Sequence, residues 1–140
     1  MRESGSALHT VADLMQREPI SIRPDASVGD LIRSFRDHDV GGMPVVDESG
    51  RLLGIVSSTD LLWLAVEEHT GSGFLAPGTL RDRTVREIMT PDVFGVAPDT
   101  SMAELRRFFA RTGVHRALVL EEGRLVGIVS LSDVLDSLLE

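Results

Sequence analysis

GIVSSTD at residues 54–60 returns as GIVSLSD at residues 127–133, with five of the seven letters unchanged. Two further segments recur in the same order, each 74 residues on: VADLM (11–15) as VREIM (85–89), and PDAS (24–27) as PDTS (98–101). The GIVS segments are only 73 residues apart, because the turn DESG (47–50) is one residue longer than the turn EEG (121–123). Three matching landmarks in one order identify a tandem duplication.

Both copies predict the same β-α-β-β-α unit. An extended stretch ends at Pro24 or Pro98, and the helix that follows has the spacing of a capping box, Ser27 with Asp30 and Ser101 with Glu104. One helical face is apolar in each copy: Val28, Leu31, Ile32 and Phe35, and then Met102, Leu105, Phe108 and Phe109. Two strands form a hairpin, Met43–Val46 with Leu52–Val56 and Ala117–Leu120 with Leu125–Val129. A second helix begins near Asp60 or Asp133.

A unit of about 50 residues buries too little surface to be stable alone. We therefore expect an α+β fold in which the two units pack through their sheets with pseudo-two-fold symmetry. We place an N-terminal tail at 1–9, the first repeat at 10–66, a linker at 67–84 and the second repeat at 85–140. Trp63 and Val66 are expected on the apolar side of the first repeat's last helix, and Phe74 and Leu75 are expected to dock on the body.

The composition limits the function classes. The chain of 140 residues is 42% hydrophobic and 26% charged, as in soluble globular proteins. It has no apolar run near the ~20 residues of a membrane span, no signal-peptide core and no cysteine, so we expect a cytoplasmic protein away from membranes. A net charge of −8 argues against nucleic-acid binding, which needs a basic face. All 14 cationic residues are arginine, which suits bidentate phosphate or carboxylate contacts.

Nothing in the sequence resembles a catalytic constellation, and we expect no enzyme activity, no catalytic cofactor and no metal. The motifs GxSxG, GxxxxGK[ST] and GxGxxG are absent. The four histidines are scattered without an HExxH pair: His9, His38, His69 and His115. His69 beside Glu67 and Glu68 could hold a metal ion, but a solvated helix end is the simpler interpretation.

The S-x-[ST]-D tail of each repeat lies where a strand passes into a helix. It comprises Ser57, Thr59 and Asp60 in the first copy, and Ser130, Ser132 and Asp133 in the second. Backbone N–H groups at a helix start attract anions, hydroxyls add donors, and a carboxylate can accept two vicinal hydroxyls. The same residue types are also ordinary N-caps. Spacing alone leaves both roles open and favours capping.

His115 and Arg116 precede the strand ALVL of the second copy and place two phosphate-capable side chains together. The first copy has Gly41 and Gly42 at the matching positions. Two interpretations stay open for each pair: His-Arg is a phosphate site or an ordinary surface loop, and Gly-Gly admits a ligand to the backbone or forms a simple turn.

These residues together match the sequence pattern of a known domain family. The pattern V-x-[DE]-[IL]-M…P-D-x-S…G-x-[LV]-x-G-I-V-S-x-x-D-[LV]-L occurs twice over residues 10–139 and resembles the cystathionine-β-synthase (CBS) domain. The tandem pair resembles a Bateman module, a regulatory unit whose clefts bind AMP, ADP, ATP or S-adenosylmethionine and which dimerises into a disc. The resemblance implies that Asp60 and Asp133 hold ribose hydroxyls, near Ser57, Thr59, Ser130 and Ser132, and that His115 and Arg116 hold phosphate. It implies adenine pockets lined by Ile20, Ser21, Val40, Gly41, Gly42 and Met43, and by Val93, Phe94, Val114 and Ala117.

On this resemblance we expect a homodimeric regulatory module that binds an adenosine-containing ligand between its repeats and signals to a partner protein. The two clefts are expected to differ, because the first copy lacks the His-Arg pair. A scaffold that has lost ligand binding is one alternative, against which the retained aspartates argue. A metal-sensing module that uses its acidic surface is another.

Overall fold

The computed structural model of the protein describes residues 9–70, 80–91 and 95–139, without the side chains of residues 68–70. Its helices are α1 (Val11–Leu14), α2 (Val28–His38), α3 (Ser58–Thr70), α4 (Val85–Ile88), α5 (Met102–Thr112) and α6 (Leu131–Ser137), with a 3-10 turn at Leu80–Asp82. Its strands are β1 (Gln16–Arg17), β2 (Gly42–Val46), β3 (Leu52–Ser57), β4 (Thr90–Pro91), β5 (Arg116–Glu121) and β6 (Arg124–Ser130). No helix of these segments is long and apolar enough to cross a membrane.

The chain divides into two compact units. Ile20–Val93 forms the first-repeat unit, which is continuous in sequence. Met1–Pro19 and Phe94–Glu140 together form the second-repeat unit, which is split. The predicted α+β class is confirmed, since each unit combines a three-stranded sheet with helices.

Each sheet is an antiparallel hairpin completed by a short strand from the opening segment of the other repeat. The orders are β2-β3-β4 and β5-β6-β1, so β3 and β6 are the central strands. The extended stretch that should open each unit makes only a one-residue parallel bridge, Ile22 to Val45 and Val96 to Val119. The first strand predicted for each unit is therefore reduced to a single bridged residue pair. The opposite edge of the sheet is formed by β4 in the first-repeat unit and by β1 in the second-repeat unit.

The opening helices are exchanged between the repeats. In the second-repeat unit the N–H of Val11 donates to the carbonyl of Thr100 at 2.8 Å. In the first-repeat unit the N–H of Val85 donates to the carbonyl of Ala26 at 2.8 Å. A sequence repeat and a compact unit are thus different divisions of the chain, because each repeat's first helix and strand belong to the other repeat's unit.

The two cores repeat each other position by position. The first-repeat unit buries Val28, Leu31, Phe35, Met43, Val45, Val56, Leu61 and Val85. The second-repeat unit buries Met102, Leu105, Phe109, Ala117, Val119, Val129, Val134 and Val11. Every member of one set has its counterpart 73 or 74 residues away in the other. The duplication therefore extends from the motifs to the packing.

Several predicted core positions are wrong. Ile32 is 39% exposed, because the buried face of α2 is narrower than the apolar pattern. Trp63 and Val66 are 66% and 51% exposed, since α3 presents Leu61 to the core and turns the next apolar residues to the surface. Helices α3 and α6 begin two residues earlier than predicted. Phe74 and Leu75 lie outside the described residues.

Two glycines allow the exchanged segments to lie against the central strands. A Cβ on Gly54 would come within 2.6 Å of the Thr90 carbonyl oxygen and 3.0 Å of Met89 Sδ. A Cβ on Gly127 would meet Met15 Sδ at 2.6 Å. The glycine of GIVS and the methionine of VxxxM are therefore two sides of one contact, which explains why both recur.

The start of each opening helix is held by a carboxylate. Asp13 accepts backbone N–H bonds from His9 and Thr10, at 2.9 and 3.1 Å. Glu87 accepts the N–H of Thr84 at 2.8 Å. These backbone hydrogen bonds hold the pKa of both exposed carboxyls below its ordinary value. For Asp13 the bond from the His9 N–H lowers the pKa most.

Replacing Gly54 with alanine is expected to destabilise the protein by about 1–3 kcal/mol, because the Thr90 backbone must move. Gly29→Ala is the matched control, since its Cβ would have contacts of 3.5 Å or longer and alanine favours a helix by roughly 0.5–1 kcal/mol. Urea unfolding measures both. Equal effects of the same sign would show that the Gly54 contact is not specific.

Stability is expected to fall below roughly pH 4.5, as the carboxyls of Asp13 and Glu87 gain protons. A pKa lowered by folding stabilises the protein above the ordinary pKa, and that contribution is lost as the pH falls through the folded value. The Asp13→Asn/Glu87→Gln variant should therefore show a flatter acid limb in thermal unfolding from pH 7 to 3. Asp37→Asn, at an exposed position, should keep the wild-type slope. An unchanged slope in the double variant would contradict the prediction.

Candidate functional site

Each central strand ends in the serine that caps the following helix. The N–H of Asp60 donates to Ser57 Oγ at 3.1 Å at the start of α3. The N–H of Asp133 donates to Ser130 Oγ at 3.0 Å at the start of α6. Of the two roles left open by the sequence, side-chain capping belongs to the serines. The aspartates occupy the third helical position.

The carboxylates of Asp60 and Asp133 are exposed, and neither has a hydrogen bond or ion pair in the described structure. Other acids at the third helical position are engaged, as Asp13 and Glu87 are by backbone N–H groups and Asp30 is by Arg33 at 2.6 Å. Free carboxylates alone do not mark a site, because Glu104 of α5 is exposed and unbonded as well. What sets the two aspartates apart is their surroundings.

The start of the neighbouring strand meets each strand-to-helix junction. Gly42 pairs with Ser57, and the N–H of Ser58 donates to the Gly41 carbonyl at 2.9 Å. In the second-repeat unit Arg116 pairs with Ser130, and the N–H of Leu131 donates to the His115 carbonyl at 2.8 Å. Residues far apart in each repeat thus meet at one end of its sheet.

The remaining predicted residues fall around the same end or outside the described segments. Ile20 and Ser21 are exposed and precede Ile22, whose parallel bridge to Val45 carries them toward the start of β2. Val40 is half-buried and Val114 is exposed, whereas Met43 and Ala117 are buried, so their side chains belong to the cores. Thr59 and Ser132 are exposed at the second helical position. Val93 and Phe94 lie outside the described residues.

The glycine pair is not required by the fold. A Cβ on Gly41 would meet only Ser58 Oγ, at 3.5 Å, and one on Gly42 only the Val56 carbonyl, at 3.7 Å. Neither glycine has a positive φ. Larger side chains would fit at both positions, as His115 and Arg116 do at the equivalent ones. The asymmetry between the units is therefore a difference in surface chemistry.

Each junction offers the same three kinds of group. The N–H groups of the first and third helical residues are already bonded, so the hydroxyls are the main donors to an anion at each junction. The 13-residue α3 adds a helix dipole, whereas α6 has only seven residues. The free aspartate can accept a pair of hydroxyls. At the positions of Gly41 and Gly42, the second-repeat unit instead has the imidazole of His115 and the guanidinium of Arg116. The arrangement suits a sugar with neighbouring hydroxyls, and in one unit a phosphate beside it.

Within its described residues the structure brings together no group of three or more His, Asp or Glu side chains that could hold a metal ion. His38 contacts the Ser34 carbonyl at 3.1 Å through Nδ1, and His9 and His115 are exposed. The side chains of Glu68 and His69 lie outside the description. The metal alternative therefore gains no support from the described part of the chain.

Sequence reasoning missed a cavity of about 510 Å³ in the second-repeat unit. Its walls include Thr10, Ala12 and the acids Asp99, Glu121 and Glu122. It lies at the opposite end of β5 from Arg116, and no predicted binding residue lines it. Only the exchange of α1 creates it, because that exchange brings Thr10 and Ala12 to residues 97–122.

Comparisons with known proteins agree with this architecture. The chain is similar to the MJ1426 protein of Methanocaldococcus jannaschii, at 26% identity over 92% of this chain and 90% of that protein. It spans only 40% and 23% of two longer curated relatives. Among solved structures it resembles CBSX2 in complex with AMP (TM-score 0.77, 28% identity, 94% and 96% of the chains). It also resembles the CBS domain of the bacterial CNNM/CorC family Mg²⁺ transporter in complex with ATP (TM-score 0.71, 28% identity, 93% and 87%).

The family model of the CBS domain matches residues 11–67 and again residues 85–140. The match covers both copies of the duplication that the GIVS segments reveal. The chain therefore belongs to the CBS domain family and carries two CBS domains in tandem.

Proposed function

We propose that this CBS pair is a regulatory module that binds an adenosine-containing ligand, with AMP, ADP, ATP and S-adenosylmethionine as the candidates. The observation that carries the proposal is the free aspartate at each serine-capped junction. The fold uses neither carboxylate, yet the duplication has kept both at the same sheet end. Bound AMP and ATP in two similar structures support this ligand class.

In this proposal Asp60 and Asp133 each accept the two hydroxyls of a ribose. Thr59 and Ser132 lie one residue earlier and offer hydroxyls that have no partner in the described structure. Ser57 and Ser130 already accept a backbone N–H, and their own hydroxyl protons stay available for donation. Ile20, exposed beside the start of β2, supplies an apolar surface for the base.

The two units are proposed to prefer different ligands. His115 and Arg116 favour a phosphate-bearing nucleotide in the second-repeat unit, since a guanidinium binds phosphate in a bidentate manner. Gly41 and Gly42 leave the first-repeat unit without a cation at the same positions, and there an uncharged adenosine compound suffices.

The proposed signal is a population shift, in which the ligand favours one conformation over another. We propose a homodimer, supported by apolar residues that α3 and α6 leave exposed: Leu62, Trp63, Val66, Leu135, Leu138 and Leu139. A cytoplasmic location is part of the same proposal, because adenine nucleotides are metabolites of that compartment. The same apolar faces are what a scaffold without a ligand would need, so the scaffold is the second candidate.

The aspartates provide the decisive test. Asp60→Asn and Asp133→Asn are each expected to raise the Kd for the ligand of their own unit about 10- to 100-fold, because each loses charge-assisted hydrogen bonds worth roughly 1.5–3 kcal/mol. Isothermal titration with the four candidate ligands measures the affinities. A ligand at about 100 times its Kd should stabilise the wild type by about 2.7 kcal/mol.

Glu104→Gln is the matched control, since it removes an exposed, unbonded acid from the same helical position of α5. It should leave every affinity unchanged. If none of the four ligands raises the melting temperature of the wild type, the nucleotide-sensing proposal fails and the scaffold takes its place.

Arg116→Ala is expected to weaken ATP and AMP about tenfold or more, while adenosine binding changes little, because only the phosphate contact is lost. Gly42→Arg, the reciprocal change, places its Cβ no closer than 3.7 Å to the nearest atom, the Val56 carbonyl oxygen, and should strengthen binding of phosphate-bearing ligands in the first-repeat unit. Competition titrations of adenosine against ATP measure the ratio. Equal loss of both ligands in Arg116→Ala would remove this arginine from the phosphate role.

A further inference from the structure

A basic surface runs along α5 and into β5 in a protein of net charge −8. The segment RRFFARTGVHR, residues 106–116, contains four arginines and a histidine without any acid. All five side chains are exposed. Arg106, Arg107, Arg111 and Arg116, with His115, are called the basic face below.

No carboxylate in the described structure neutralises the basic face, whose arginines make no hydrogen bond or ion pair there. Glu104 lies three residues before Arg107 on α5, and Asp133 lies at the junction that Arg116 borders, yet neither carboxylate is bonded to the basic face. In the equivalent helix α2, by contrast, Arg33 binds Asp30 at 2.6 Å.

The fold does not demand this charge. The equivalent segment of the first repeat, residues 32–42, has two arginines, one histidine and two aspartates on the same helix and loop. The helix dipole favours cations in the last turn and accounts for Arg111, but Arg106 and Arg107 lie one turn or more before it. The two copies share a core and differ here, so the packing of the core does not account for the basic face.

We propose that the basic face docks an acidic peptide segment of the protein that this module regulates. The distance from Arg106 to Arg116 is at most roughly 25 Å, because five helical residues separate Arg106 from Arg111 and five residues, extended at most, separate Arg111 from Arg116. Guanidinium forks match carboxylates, and a segment of about ten residues covers that length. A long nucleic acid would extend past the basic face over a protein of net charge −8, which opposes its binding.

The geometry also makes the docking responsive to nucleotide. Arg116 belongs to the basic face and pairs with Ser130, the serine that caps α6. A bound phosphate would occupy Arg116 and add negative charge beside the docked segment, so nucleotide and acidic segment compete. This competition rests on the proposed function, whereas the docking itself does not.

Fluorescence anisotropy with a fluorescein-labelled deca-glutamate peptide tests the docking. Arg107→Glu/Arg111→Glu should raise the Kd about tenfold or more, through lost attraction and new repulsion. Arg23→Glu/Arg36→Glu changes the net charge equally at exposed positions of the first-repeat unit and should raise it less than about twofold. Equal weakening by both pairs, or tighter binding of a 20-nucleotide poly-dT than of the peptide, would overturn the proposal.

Two further measurements separate the remaining outcomes. Sedimentation velocity should give the same oligomeric state for the wild type and for Arg107→Glu/Arg111→Glu. Dissociation of the variant would assign the basic face to self-association and overturn the acidic-partner proposal.

ATP at a saturating concentration should raise the peptide Kd of the wild type, whereas adenosine should not. ATP that binds without changing the peptide Kd would disprove the competition. Peptide binding in a protein that binds none of the four candidate ligands would leave the docking intact and disprove the nucleotide function.

Discussion

Two valines, Val11 and Val85, hold this structure together by filling cores built from the opposite repeat. Both are completely buried, and each contributes roughly 1.5–3 kcal/mol of hydrophobic stabilisation where it packs. The backbone hydrogen bonds around them lead the chain into β1 and β4, which complete the two sheets. The methionine that follows each valine then lies over a glycine of the central strand. The contact between this methionine and this glycine therefore explains why the VxxxM and GIVS motifs both recur.

The position of the candidate site follows from this exchange of α1 and α4 between the repeats. With β4 or β1 on one side and the hairpin partner on the other, β3 and β6 become the central strands. Each of these central strands ends in a serine that caps the following helix. The hairpin register then brings residues 41–42 or 115–116 beside that serine. The side chains of the candidate site thus lie together at one end of each sheet.

Local patterns predicted most of the elements. The helical spacing of α2 and α5 and the turns of both hairpins identified those elements correctly, because each depends on neighbours in sequence. The exchange of α1 and α4 could not be predicted, since Val11 and Val85 lie in near-identical motifs and fit either copy. Trp63 was misplaced because α3 buries only Leu61 among its described side chains, and its apolar pattern is wider than its buried face. At the site, the S-x-[ST]-D junction was recognisable, but only the structure separates the capping serine from the free aspartate.

The split of the second-repeat unit has a consequence for biosynthesis. Residues 20–93 form a continuous unit, so all of its core residues are made before most of the second copy. Val11 precedes them, yet its core partners extend to Val134. At about 5–20 residues per second, synthesis of the intervening chain takes on the order of ten seconds. During that interval the opening helix lacks its core partners, so Val11 is the earliest core residue to be made and among the last to be buried.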